Sequence, residues 1–93
     1  MQKEEAIKKI NETIVCMYQN KEKEALTGAA ELLPFFERMA EIRAEKKDGS
    51  VLQVIRFLKD FIENYNCIDM TGMADCLQAQ ACSLVNTYCV DES

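Results

Sequence analysis

Apolar residues recur every three or four positions in four separate stretches of the chain, which is the spacing of one face of an α-helix. The most apolar stretch lies at residues 26–42. Placed on a helix at about 100° per residue, its side chains form two lines rather than one. The two lines are Leu26, Ala29, Leu33, Phe36 and Ala40, and Leu32, Phe35, Met39 and Ile42. Because a surface helix has one apolar stripe, we expect this helix to be central, with the others packed around it.

The first two helices are predicted at residues 4–19 and 22–47, with a short polar turn around Asn20 between them. Pro34 lies in the middle of the second helix, where it removes one backbone hydrogen bond. The apolar pattern continues in phase on both sides, so we expect a single helix kinked at Pro34. The alternative is a helix that ends before Pro34 and another that begins there.

Ser50 followed by Gln53 is the capping-box pattern, and it predicts the start of the third helix. The core face expected for this helix consists of Val51, Val54, Ile55, Leu58, Phe61, Ile62 and Tyr65. Phe57 falls at the flank of that face. We therefore expect truncation of Phe36 to cost more stability than truncation of Phe57.

The last helix is expected to begin after Asp69, a residue suited to the N-cap position, and to run to about Val90. Its predicted core line is Met70, Met73, Leu77, Ala81, Leu84 and Tyr88. Four helices joined by short turns predict an all-α, antiparallel four-helix bundle. Residues 1–93 are enough for one domain with a single modest core.

The formal net charge of −5 changes which partners are plausible. No basic stripe is present to neutralise phosphates, which excludes nucleic acid and anionic membrane surfaces as partners. The N-terminal residues are charged from Lys3 onward, and no apolar run approaches membrane-spanning length. We therefore expect a cytoplasmic protein whose cysteines are reduced thiols.

Candidate chemistry is sparse. The chain has no histidine, Gly-rich phosphate loop or nucleophile motif, so we predict a protein that is not an enzyme and needs no cofactor. The five cysteines are Cys16, Cys67, Cys76, Cys82 and Cys89. Their spacing puts no two of them one helical turn apart, which favours cysteine as a small apolar filler. The alternative is a thiol-based metal or redox site, which requires at least three of these thiols to converge.

The last helix has one unusual property, because Asp75 is the only charged residue between residues 70 and 90. Its outer face is our candidate partner-contact surface, formed by Asp75, Gln78, Cys82, Val85, Asn86 and Cys89. Cys16, Cys82 and Cys89 are expected on the solvent side of a monomer. The leading prediction is a protein-interaction module that binds another protein, or forms a homodimer, through the last helix.

Two segments resemble small uncharacterised bacterial helical-bundle proteins. Residues 69–77, read as DMTGMADCL, are similar to the start of their last helix, which carries Asp, an apolar stretch and Ala-Asp-x-Leu. Residues 14–26, read as IVCMYQNKEKEAL, are similar to their first helix and turn. Such bundles are similar in layout to flagellar export chaperones, which wrap or cap a helix of a partner. The resemblance implies an adaptor or chaperone-like role and brings no catalytic residues.

Overall fold

The computed structural model describes residues 2–88, and these residues form helices and turns without any strand. The first three helices are α1 (Lys3–Tyr18), α2 (Glu22–Lys46) and α3 (Val51–Asn66). The last helix, α4, consists of three consecutive segments. These are α-helical Met70–Cys76, π-helical Leu77–Ala81 and α-helical Cys82–Tyr88.

The helices form the predicted all-α four-helix bundle. α1 packs against α2, α2 packs against α3, and α4 packs against both α1 and α3. The bundle is therefore a ring in which α2 has two principal neighbours. α2 meets both of them, since Gly28 lies against Thr13 of α1 and Phe36 lies against Phe57 of α3. The other three helices do not all pack around α2 as predicted, because α4 packs mainly against α1 and α3. None of the described helices combines the length and apolar composition that a membrane span requires.

α2 is one uninterrupted helix with Pro34 in its interior, so the alternative of two helices split at that residue is not adopted. Pro34 is exposed, and its ring does not take up space in the core. α2 ends in left-handed backbone at Lys47, with φ of 57°, and Gly49 follows with φ of 84°. This close succession of left-handed residues reverses the chain into α3.

Three phenylalanine rings form the centre of the core. Phe36, Phe57 and Phe61 are each fully buried. Phe36 meets Phe57 edge to face with ring centroids 4.8 Å apart, and Phe61 lies 5.8 Å from each of them. The prediction that Phe57 lies at the flank of α3 is therefore wrong.

α3 is rotated relative to the expected core face. Ile55 and Ile62, which were assigned to that face, are 48% and 37% exposed. The reason is that α3 carries more apolar surface than two neighbouring helices can cover. Placing Phe57 and Phe61 inside buries the larger side chains and leaves the isoleucines outside.

The predicted N-caps have different outcomes. Asp69 caps α4, since its Oδ1 accepts a hydrogen bond of 2.9 Å from the Gly72 backbone N–H. Ser50 does not cap α3, because its backbone is helical and its side chain is engaged elsewhere. Arg43 Nε donates to Ser50 Oγ at 2.8 Å, and Ser50 Oγ donates to Asp48 Oδ1. The hydrogen bonds that Asp48 accepts from the Ser50 hydroxyl and the Ser50 backbone N–H, together with the nearby Arg43 charge, lower the pKa of Asp48.

The same turn is joined to the end of α4. The Arg43 guanidinium lies 4.8 Å from the centre of the Tyr88 ring, close enough for a cation–π contact. The Tyr88 hydroxyl donates to Gln53 Oε1 at 3.0 Å. These contacts fix the last described turn of α4 beside the α2–α3 connection.

Candidate protein-interaction surfaces

The face of α4 that was predicted to bind a partner lies beside α1. At the C-terminal end of α1, the Tyr18 hydroxyl lies 2.8 Å from Asp75 Oδ1 and 2.9 Å from Gln78 Oε1. The phenol shares its one hydrogen between these two acceptors. The hydrogen bond to Asp75 and the negative charge of that residue raise the pKa of Tyr18, because both disfavour the phenolate.

Two further contacts join α4 to α1 toward the other end of α1. Together with the Tyr18 contacts, they form what we call the seam between α1 and α4. Cys82 Sγ lies 3.9 Å from Asn11 Oδ1, and Lys3 Nζ donates to the Asn86 carbonyl at 3.4 Å. Packing against α1 within the monomer therefore explains why α4 has so few charged residues. Uncharged side chains suit a face that packs beside another helix.

Val85 does not belong to a partner-contact surface, because it is fully buried. The π-helical segment Leu77–Ala81 explains the error, since its wider turns set back every residue that follows, relative to a straight α-helix. Both Leu84 and Val85 consequently face the core. Of the other predicted residues, Asp75, Gln78 and Asn86 are exposed and Cys82 is partly buried. Cys89 lies outside the described residues.

The described cysteines are dispersed and chemically different. Cys67 is exposed in the α3–α4 turn, whereas Cys16 and Cys82 are partly buried rather than on the solvent side. Cys76 is buried, and burial together with the Asp60 charge raises its pKa to about 11. Within residues 2–88, no three side chains of the types that ligate metals are arranged to hold an ion.

Three large aliphatic side chains remain exposed along α3. Leu52, Ile55 and Ile62 are 57%, 48% and 37% exposed. On a helix these three lie within about 80° of one another, on the side away from Phe57 and Phe61. We call them the α3 stripe. Single exposed apolar residues are ordinary, whereas three on one helix face form a candidate contact surface.

Charged residues border the α3 stripe. Lys59 lies within the angular range of the stripe. Arg56 and Glu63 lie two turns apart along the edge nearer α4. Neither Arg56 nor Glu63 forms an ion pair or hydrogen bond with another side chain among residues 2–88. Apolar residues with charged residues at their edge are the usual composition of a protein-binding surface, and Lys59 departs from it because it lies between Ile55 and Ile62.

Sequence reasoning missed the α3 stripe because it assigned Ile55 and Ile62 to the core and gave Leu52 no role. The sequence signal that could have revealed it is the width of the apolar arc around α3. Apolar residues cover its core face and continue past it onto a second side. In a four-helix ring each helix has two principal neighbours, so a helix apolar over this width has surface left over.

The grooves between helices are open and polar at their rims. The α1–α2 groove is lined by charges of both signs, including Lys9, Glu12, Lys23 and Glu24. The α3–α4 groove carries Asp60, Glu63 and Asp75. Both grooves are open to solvent, and neither has the enclosed form of a small-molecule site.

Comparison with known proteins adds no family to this description, and the resemblance to export-chaperone bundles stays a prediction. No protein-family model matches the chain, and neither a curated protein nor a solved structure is significantly similar to it.

Proposed function

We propose that this protein is a non-enzymatic interaction module, an adaptor or chaperone-like bundle, and that the α3 stripe is its principal contact surface. The observation that carries the proposal is the exposure of Leu52, Ile55 and Ile62 on one side of one helix. Burying an aliphatic side chain of this size contributes about 1.5–3 kcal/mol. Leu52, Ile55 and Ile62 are already about half buried in the monomer, so a partner that covers the stripe gains roughly half of this free energy for each of them.

The exposed part of the predicted α4 surface is a secondary contact area in this proposal. Asp75, Gln78 and Asn86 are accessible, but each already takes part in the seam with α1. A partner at this site would have to compete with Tyr18 for Asp75 and Gln78. The α3 stripe has no such internal competitor, and so we favour it.

The chemistry of the thiols supports a cytoplasmic location and weakens the redox alternative. Cys16, Cys67, Cys76 and Cys82 are all free, as is usual in a reducing compartment. A reactive cysteine requires a lowered pKa, whereas burial raises the pKa of both Cys76 and Cys82.

Cross-linking in cells tests the proposal. The variant Ile55→Glu/Ile62→Glu places two charges in the stripe, and Val15→Glu/Ile68→Glu is the matched control at two exposed aliphatic residues elsewhere. We expect the wild type and the control to cross-link to the same proteins, and the stripe variant to lose them. Equal losses in both variants, or no loss in the stripe variant, would argue against the stripe as the contact surface.

A further inference from the structure

We propose that the α3 stripe pairs with the α3 stripe of a second copy of this chain, with the two helices antiparallel. This inference rests on the proposed function, since it takes the stripe to be a contact surface and identifies what covers it. The arrangement of charge along the edge of the stripe favours this pairing.

Arg56 and Glu63 have opposite charges and lie on the same edge of α3. They are seven residues apart, which separates them by about 10 Å along the helix and by only about 20° around it. That distance is too long for them to pair with one another. With no side-chain partner among residues 2–88, both are available to a neighbouring molecule.

A twofold axis perpendicular to α3, passing close to Lys59 and Asp60, makes this edge self-complementary. The axis brings Arg56 of one copy beside Glu63 of the second copy, and it generates the same pair again in reverse. It also brings Ile55 of one copy close to Ile62 of the other. In a parallel arrangement the twofold axis runs along the helices and places the two copies of this edge on opposite sides of the interface, so Arg56 of one copy could not reach Glu63 of the other.

Lys59 limits the strength of this dimer. It lies within the stripe and close to the axis, so the two Lys59 side chains approach one another. Their stems can cover the aliphatic side chains while the ammonium groups extend to solvent. Three aliphatic residues per copy also fall short of the ~800 Å² per partner of a standard interface. We therefore expect a reversible dimer with a Kd of about 100 μM.

Sedimentation equilibrium of the full chain between about 0.01 and 2 mM, a range that brackets this Kd, tests the pairing. Arg56→Glu and Glu63→Arg should each raise the Kd about tenfold, since the twofold axis applies each change twice. The double variant Arg56→Glu/Glu63→Arg restores both pairs and should return the Kd close to that of the wild type. Lys8→Glu, on the exposed side of α1, is the control and should leave the Kd unchanged.

Two further variants probe the apolar part of the interface. Ile55→Glu/Ile62→Glu should abolish the dimer, and Lys59→Leu should tighten it. All the substituted residues are exposed, so circular dichroism should confirm that each variant keeps the fold.

A wild type that is monomeric throughout this range would overturn the inference, as would a double charge variant that dimerises no better than the single variants. The cross-linking experiment tests the proposed function separately from self-association. If the wild type is monomeric but the stripe variant loses cross-linked partners, self-pairing fails and the interaction surface stands. If neither self-association nor cross-linking responds to the stripe variant, both fail.

Discussion

Phe36 and Phe57 meet at the centre of the bundle, and neither ring has any exposed surface. The edge-to-face geometry at 4.8 Å is favourable beyond simple burial. At the scale of single residues, the core therefore depends on a pair of rings contributed by two helices rather than on α2 alone.

Phe36→Ala and Phe57→Ala should be similarly damaging, each lowering the free energy of unfolding by about 3–5 kcal/mol. The reason is that each substitution leaves a cavity against the other ring. Urea unfolding of both single variants and the double variant measures this, and we expect the two effects to be non-additive by at least ~0.5 kcal/mol. A cost below about 1 kcal/mol for Phe57→Ala would place that ring outside the core.

At Gly28 the backbone of α2 lies close to Thr13 of α1. A Cβ atom at this position would overlap the hydroxyl oxygen of Thr13 and lie 3.1 Å from its methyl carbon. Thr13 is 3% exposed, and its hydroxyl donates to the Lys9 carbonyl at 2.7 Å, which holds the side chain in place.

Gly28→Ala should destabilise the protein by about 1–2 kcal/mol, although alanine is the better helix former by about 1 kcal/mol. Thermal unfolding measures the change. In a Thr13→Ala background only the Cβ of residue 13, at 3.2 Å, remains close, and the same substitution should be nearly neutral. A stabilising effect of Gly28→Ala in the wild type would mean that the two helices are further apart than described.

At the scale of whole helices, the boundaries and the buried line of α4 follow from the sequence. Three- and four-residue spacing defines α1 to α4 to within a few residues, and Asp69 is recognisable as a cap because it has the residue type of an N-cap directly before the apolar line of α4. Met73, Leu77, Ala81 and Leu84 are buried as predicted.

The rotation of each helix about its own axis does not follow from the sequence in the same way. Ser50 has the residue type of a cap, but Arg43 and Asp48 take its hydroxyl once the turn is folded. The exposure of Ile55 depends on which α3 side chains fit against Phe36. The burial of Val85 depends on a π-helical segment that apolar periodicity does not reveal. These outcomes are decided by packing between helices, and they account for the errors at the candidate surface.

Pro34 interrupts the backbone hydrogen bonding of α2, and replacing it tests how much this costs the helix. It removes one hydrogen bond to the Ala30 carbonyl, and it is exposed, so Pro34→Ala should restore the bond with little loss of packing. We expect the free energy of urea unfolding to rise by about 1–3 kcal/mol. Glu37→Ala, at an exposed position one turn later, controls for added helix propensity. A fall in stability would show that a bend imposed by Pro34 is needed for α2 to fit the bundle.

At the scale of the whole molecule, the four described thiols are buried to different extents, so their relative reaction rates test the packing of the bundle. In native protein treated with iodoacetamide and followed by peptide mass spectrometry, Cys67 should react fastest because it is exposed. Cys16 and Cys82 should follow, and Cys76 should react only when the protein opens, because it is buried with a pKa of about 11. Rapid reaction of Cys76 would contradict the packing of α4 on α3.

The ring of four helices buries one side of α3 and leaves the aliphatic stripe outside. Urea unfolding of Ile55→Glu/Ile62→Glu, compared with Val54→Glu on the buried side of the same helix, tests it most directly. We predict that the stripe variant stays within about 1 kcal/mol of the wild type at a concentration where the protein is monomeric. Val54→Glu should cost several times more, because it places an unpaired carboxylate in the core. If the stripe variant is as unstable as Val54→Glu, then Ile55 and Ile62 belong to the core and α3 has no free apolar surface.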